Sequence, residues 1–214
     1  MVKSVKYQLL VAPIFTIPIY KVVFDGLSDE INLEALAREE IDNTMPSDKK
    51  KHLVQKSSSE LYLKKEIRPL CDRIVGVVRQ ISNEVLLFNP EYKVEITAMW
   101  ANRQIPHTHL GRHCHHNNMF AGVFYVTENE NFPPIIFWNP VDPQLEPTIT
   151  GKYNQFNSGS NAQTVAKDTL LIFPAYLDHS VEPNLSDEDR ISISFNIMLR
   201  GEYAVKESLQ SVLL

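Results

Sequence analysis

The chain has 214 residues, of which 43% are hydrophobic, and a formal net charge of -5 at pH 7. This length and hydrophobic content suit one compact domain with one well-buried core. The mild acidity, and the lack of a Lys/Arg stripe interleaved with aromatic residues, argue against a nucleic-acid partner. Two cysteines, Cys71 and Cys114, are too few for a disulfide framework, so a reducing compartment fits best.

Near the N-terminus, an apolar run from Leu9 to Ala12 is followed closely by Pro13 and Pro18. The run is too short and too interrupted to span a membrane. It also lacks the small-residue cleavage site that ends a signal peptide. We therefore expect a soluble, intracellular protein of the cytoplasm that has no membrane partner.

Two helices are predicted in the N-terminal part of the chain. Apolar residues at positions 31, 33, 36, 37 and 41 indicate a first helix that ends near Asn43. A longer apolar stripe from Leu63 to Val85 advances in steps of four and three residues and indicates a second helix. Pro69 lies inside this stripe, so the second helix either kinks there or has its regular part begin there.

From Tyr92 onward, runs of β-branched and aromatic residues are broken by Pro, Asn and Gly, as is typical of short strands. The predicted strands cover residues 93–102, 120–127, 135–138, 169–173 and 191–199. This order predicts an α+β fold, a sandwich or jelly roll with N-terminal helices packed on one outer face. We expect a single domain over residues 1–214, with a helical part over about 1–90 and the β core over about 91–200.

The triplet His113-Cys114-His115 is the most informative motif. Alternate side chains of a strand share a face, so His113 and His115 can present two imidazoles to one ion. His179 follows another apolar run and could supply a third imidazole, which would leave the opposite coordination positions open. These three residues predict a metal site at which catalysis is possible.

A second H-x-H pair, His107-Thr108-His109, complicates this assignment. It lies between Pro106 and a Leu-Gly pair, which indicates a loop rather than a strand. We therefore prefer His113 and His115 as the ligands.

The strand that begins at Arg190 has polar residues at even positions and apolar residues at odd positions, and so has one polar face. That face meets either water or a pocket. In a pocket, Arg190 would offer a planar fork to a carboxylate, and Ser192 would add a hydroxyl. Because only eleven residues separate His179 from Arg190, a short hairpin could bring the metal and the guanidinium to one cavity, so we favour the pocket.

Three stretches resemble, in order and spacing, the 2-oxoglutarate- and iron(II)-dependent oxygenases of bacteria and marine phages. They are HCHHNNMFAGVFY at 113–125, LIFPAYLDHSVEPN at 171–184 and RISISFN at 190–196. The resemblance extends from about Trp100 to Leu199 and implies a double-stranded β-helix, or jelly roll, with iron at the barrel mouth.

The resemblance also implies roles for single residues. His113, His115 and His179 match the metal-ligand positions, and Arg190 matches the residue that pairs with the distal carboxylate of 2-oxoglutarate. Tyr125 lies where related oxygenases often place a second hydroxyl on that carboxylate. The implied activity is that of a dioxygenase that hydroxylates an unidentified substrate, a small molecule or a protein side chain, with release of succinate and CO2.

One ligand departs from the commoner pattern of two histidines and one carboxylate. The second ligand position holds His115, and the nearby Asp178 is expected to point to the other face. A site of three imidazoles carries one negative charge fewer than a site of two histidines and one carboxylate, so other metals could compete with iron.

Two alternatives remain open from the sequence alone. The first is a cupin-like metalloenzyme that uses the three histidines without a keto acid. Against it, this sequence lacks the Glu that cupins commonly place a few residues after His115, and Arg190 would have no role. The second is a non-enzymatic jelly-roll binding module whose histidines are incidental. The sequence does not determine the substrate, the metal or the oligomeric state.

Overall fold

A computed structural model describes residues 15–45, 54–141, 148–204 and 211–214. The strands are β1 Tyr20–Val23, β2 Gln55–Lys56, β3 Lys93–Gln104, β4 Leu110–His113, β5 Phe120–Tyr125, β6 Ile135–Trp138, β7 Ser160–Gln163, β8 Thr169–Pro174, β9 His179–Val181, β10 Arg190–Arg200, β11 Glu202–Tyr203 and β12 Val212–Leu213. The helices are α1 Leu27–Glu30, α2 Leu33–Thr44 and α3 Arg68–Gln80. A 3-10 turn covers Leu61–Leu63, and a π-helical turn covers Ile81–Val85.

Two antiparallel sheets face each other. The major sheet has the strand order β1-β8-β5-β10-β3-β2, and the minor sheet has the order β4-β9-β6-β7. Side chains from both sheets interlock between them, as the rings of Phe137 and Phe173 do with centroids 4.9 Å apart. This arrangement is a jelly roll and confirms the predicted fold class. No helix in the described parts of the chain is long and apolar enough to cross a membrane.

The alternation of β10 separates two buried regions. Its odd-numbered apolar residues, such as Ile193 and Phe195, belong to a core cluster that also contains Leu33 and Ile41 of α2 and Ile74 of α3. Its even-numbered polar residues point into the space between the sheets. Helices therefore cover the outer face of the major sheet, while its inner face lines the interior of the jelly roll.

Helix α3 resolves the two possibilities left by Pro69. The helix begins at Arg68, so Pro69 lies in the first turn. There the missing N–H of proline costs nothing, because the first amides of a helix have no intrahelical partner. The apolar stripe at the other end continues through the π-helical turn Ile81–Val85 rather than through regular helix.

The predicted hairpin between His179 and Arg190 is wrong. β9 and β10 lie in different sheets, and the connection between them passes from the minor to the major sheet. His179 and Arg190 nevertheless line the same cavity between the two sheets. The short strands β1 and β2 also join the major sheet from within the part of the chain expected to be helical.

Gly122 should be sensitive to substitution because β5 is buried on both faces. A Cβ atom there would lie 2.7 Å from the carbonyl oxygen of Leu171 and 2.7 Å from a ring carbon of Phe195. Overpacking of this kind predicts that Gly122→Ala lowers the free energy of unfolding by about 1–3 kcal/mol, measured by urea denaturation.

The matched control is Gly76→Ala in α3, where an added Cβ meets nothing within 4 Å. It should raise the free energy of unfolding by up to about 1 kcal/mol, because alanine favours the helix. Equal effects of the two substitutions would contradict the packing described here.

Candidate metal centre

Three imidazoles meet at one end of the interior. His113, His115 and His179 each offer one nitrogen, and these nitrogens all lie within 4.8 Å of one another. The pairing of β4 with β9 places His113 opposite His179, with ring centroids 4.3 Å apart. β4 ends at His113, so His115 follows the strand instead of lying in it. Its backbone N–H donates to the carbonyl of Ala175 at 2.8 Å.

Each of the three imidazoles directs its Nδ1 atom at an oxygen atom of the protein. The pairs are His113 with the Gly111 carbonyl at 2.8 Å, His179 with the Leu177 carbonyl at 3.0 Å and His115 with Asn196 Oδ1 at 2.5 Å. An acceptor at Nδ1 fixes the proton there and leaves the lone pair of Nε2 free. This is the arrangement of metal-binding histidines, so the donor set fits a divalent transition metal.

The surroundings also favour the neutral form of the ligands. Burial lowers the pKa of His179 to about 3 and lowers the pKa of His115 from its ordinary value. Both rings are therefore uncharged at neutral pH. Neutral imidazole is the form that binds a metal, so these two ligands need not lose a proton first.

The acid next to His179 lies outside the site. The carboxylate of Asp178 accepts a hydrogen bond from Arg112 Nε at 2.8 Å. The guanidinium of Arg112 in turn lies over the ring of Trp138, 5.1 Å from its centroid. Among the described residues, no Asp or Glu lines the cavity around the three imidazoles.

The second H-x-H pair lies elsewhere. His107 and His109 are both exposed, and His107 adopts the left-handed conformation of a tight turn, with φ 66°. This agrees with a loop at this position and keeps both rings outside the group of three imidazoles.

The cavity that holds the three imidazoles is also lined by Arg190, Ser192 and Tyr125. All three are buried, at 5%, 5% and 2% exposure. Ser192 lies directly opposite Tyr125 in the pairing of β10 with β5, so their side chains share a face. The residues expected to bind 2-oxoglutarate and the expected metal ligands thus border one space.

Arg190 is a buried cation without a counter-ion. Its Nη1 donates to Gln104 Oε1 at 3.3 Å, and its guanidinium carbon lies 4.8 Å from the ring centroid of Tyr125. Its Nη2 is buried and has no hydrogen-bond partner, and no carboxylate in the described parts of the chain pairs with it. Burial lowers the pKa of Arg190, but a guanidinium stays charged at neutral pH.

Gln104 and Asn196, which were not predicted as site residues, orient Arg190 and His115. Gln104 Nε2 donates to the backbone carbonyls of Thr108 and Glu182, both at 2.8 Å, so the amide oxygen of Gln104 must face Arg190. Asn196 lies on the polar face already recognised in β10, so its position was a usable signal. Gln104 lies beyond the predicted end of β3, where no such alternation marks it.

Residues 98–196 match the family described as "Putative 2OG-Fe(II) oxygenase". The match includes all three histidines, Tyr125, Arg190 and Ser192. This segment resembles the 2-oxoglutarate- and Fe(II)-dependent oxygenases. The match, together with the three imidazoles, indicates an enzyme whose cofactors are Fe(II) and 2-oxoglutarate, and it replaces the interpretation as a binding module.

Solved structures of such oxygenases share the fold at low sequence identity. The carbocyclase SnoK from nogalamycin biosynthesis is 12% identical, with 91% of this chain and 84% of that chain covered and a TM-score of 0.62. HygX from Streptomyces hygroscopicus, with nickel and 2-oxoglutarate bound, is 12% identical, with 86% and 83% covered and a TM-score of 0.60. No curated protein sequence matches the chain significantly.

The hydrogen bond between His115 and Asn196 should strengthen the binding of a metal at the three imidazoles. Asn196→Leu removes the acceptor at similar size, and loss of such a partner typically weakens metal binding about 10- to 100-fold. Asn196→Asp keeps an oxygen acceptor and should retain the affinity. Titration of the apoprotein with Co(II) measures both.

Asn129→Ala is the control, since the half-buried Asn129 amide bonds, among the described residues, to Glu188 and Asn131 and not to the three histidines. It should leave the affinity unchanged. Parental Co(II) affinity in Asn196→Leu would show that the Asn196 hydrogen bond does not support the ligand.

Proposed function

We propose that this oxygenase binds Fe(II) through His113, His115 and His179, binds 2-oxoglutarate through Arg190, and hydroxylates a C–H bond of its substrate. The overall reaction consumes the substrate, 2-oxoglutarate and dioxygen, and yields the hydroxylated product, succinate and CO2. The observation that carries the proposal is the unpaired, buried Arg190, which lines the same cavity as three imidazoles with free Nε2 atoms.

The role of Arg190 follows from its surroundings. A buried charge without a partner is costly, and a ligand carboxylate would supply both the missing charge and an acceptor for Nη2. In a metalloenzyme that used no keto acid, the buried charge of Arg190 would be unfavourable and would have no function. A dicarboxylate can pair with Arg190 through one carboxylate while its other end reaches towards the imidazoles.

Tyr125 and Ser192 support that carboxylate. The Tyr125 ring makes a cation–π contact with the guanidinium of Arg190. This contact fixes the plane of the guanidinium and limits its rotation. Burial raises the pKa of the Tyr125 hydroxyl, which therefore keeps its proton and can donate it in a hydrogen bond. Ser192 adds a second hydroxyl beside it.

The remaining walls of the cavity keep water away from the site. Val123, Ile135 and Phe173 line it from both sheets. When bound, Fe(II) and 2-oxoglutarate supply the chemistry that activates dioxygen. The protein contributes orientation and apolar walls that limit side reactions with water.

Replacing Arg190 tests this function. Arg190→Met keeps an unbranched, flexible side chain but removes the guanidinium and its charge. It should weaken 2-oxoglutarate binding to the metal-loaded protein by at least about 2 kcal/mol, or about 30-fold, and abolish succinate formation at moderate 2-oxoglutarate concentration. Calorimetry and a succinate assay with Fe(II) and oxygen measure the two effects.

The same variant should bind metal normally. Without 2-oxoglutarate, its free energy of unfolding should match or exceed that of the parent, because an unpaired buried charge has been removed. An Arg190→Met protein that bound 2-oxoglutarate and formed succinate at the parental rate would refute the assignment.

A further inference from the structure

Lys56 lies at the end of a row of side chains that crosses the major sheet. It is paired with Asn102, Asn102 is paired with Ser192, and Ser192 is paired with Tyr125. Residues directly opposite each other in antiparallel strands share a face. Since all four line the cavity, this row runs along its floor, with Lys56 on the edge strand β2.

Lys56 has no acidic partner among the described residues. Part of its side chain is in solvent, but partial burial lowers the pKa of its ammonium group. The free cation thus lines the same cavity as the three imidazoles.

The charges of the cavity do not balance without a further anion. Among the described residues that line it, Lys56 and Arg190 are the only cations, and none is an acid. A divalent metal held by three neutral imidazoles adds two positive charges, and 2-oxoglutarate brings two negative charges. The loaded cavity therefore keeps an excess of about two positive charges, which attracts an anionic substrate and disfavours a cationic one.

A rigid aromatic surface lies beside Lys56. Trp100 Nε1 donates to Asn102 Oδ1 at 3.1 Å, and Asn102 Nδ2 donates to Ser194 Oγ at 2.9 Å. These bonds fix the indole, whose ring centroid lies 5.6 Å from that of His115. The cavity thus offers a cation and a flat, largely apolar wall next to a metal ligand.

We infer that the substrate is an organic anion, with its carboxylate or phosphate group bound by Lys56 and its carbon skeleton resting on Trp100. This inference rests on the proposed function, because it places the substrate in the part of the cavity that 2-oxoglutarate leaves open. It makes Lys56 a specificity-determining residue and narrows the substrate class to acids and phosphate esters.

The test uses the full-length protein loaded with Zn(II) and saturating 2-oxoglutarate, which prevents turnover and occupies Arg190. Benzoate and phenyl phosphate serve as anionic probes, and benzamide is the neutral probe of the same shape. Calorimetry should give at least about tenfold tighter binding of each anion than of benzamide. Lys56→Gln should abolish this preference, and Lys56→Arg should keep it.

Lys93→Gln is the matched control, since Lys93 is an exposed lysine of the neighbouring strand β3. It should keep the parental preference. Equal binding of benzoate and benzamide by the parent, or an unchanged preference in Lys56→Gln, would overturn the inference.

Failure of the proposed function gives a different result. In that case the parent itself would not bind 2-oxoglutarate, whatever its preference among the probes. Parental 2-oxoglutarate affinity in Lys56→Gln would show that the variant folds and that the two sites are separate.

Discussion

A guanidinium buried without a counter-ion is the constraint on which the rest of the site depends. Arg190 lies between the two sheets, receives one acceptor from Gln104 and stacks on Tyr125, but no described carboxylate neutralises it. Such an arrangement lowers stability unless a ligand completes it. The same cavity holds three imidazoles, each with one nitrogen within 4.8 Å of the others. One cavity therefore contains both a buried cation and a group of imidazoles that fits a divalent metal.

One strand organises most of this site. β10 contributes Arg190, Ser192 and Asn196 from a single face, and the opposite face contributes apolar residues to the core under the helices. Cross-strand pairing extends the same face to Tyr125 on one side and to Asn102 and Lys56 on the other. Position along the strand thus separates two groups of side chains, with the buried cation Arg190 at its start and Asn196, the hydrogen-bond partner of His115, further along.

The sequence predicted the parts of this fold that have a strong local pattern. The period of two in β10 identified its polar face, and the apolar stripes of α2 and α3 identified two helices. Sheet membership could not be predicted in the same way, because β9 has three residues and its partners lie far away in the chain. The expected hairpin to Arg190 failed for this reason. The role of Gln104 could not be predicted from the sequence, because it depends on the distant backbone carbonyl of Glu182.

Metal content tests the central claim most directly. The parent, purified without chelators and reconstituted with Fe(II) under anaerobic conditions, should hold one ion per chain. His109→Ala, in the exposed H-x-H pair, should hold the same amount, and His179→Ala should lose the ion and the binding of 2-oxoglutarate with it. A His179→Ala protein with a full complement of iron, or loss of iron in His109→Ala, would contradict a centre formed by His113, His115 and His179.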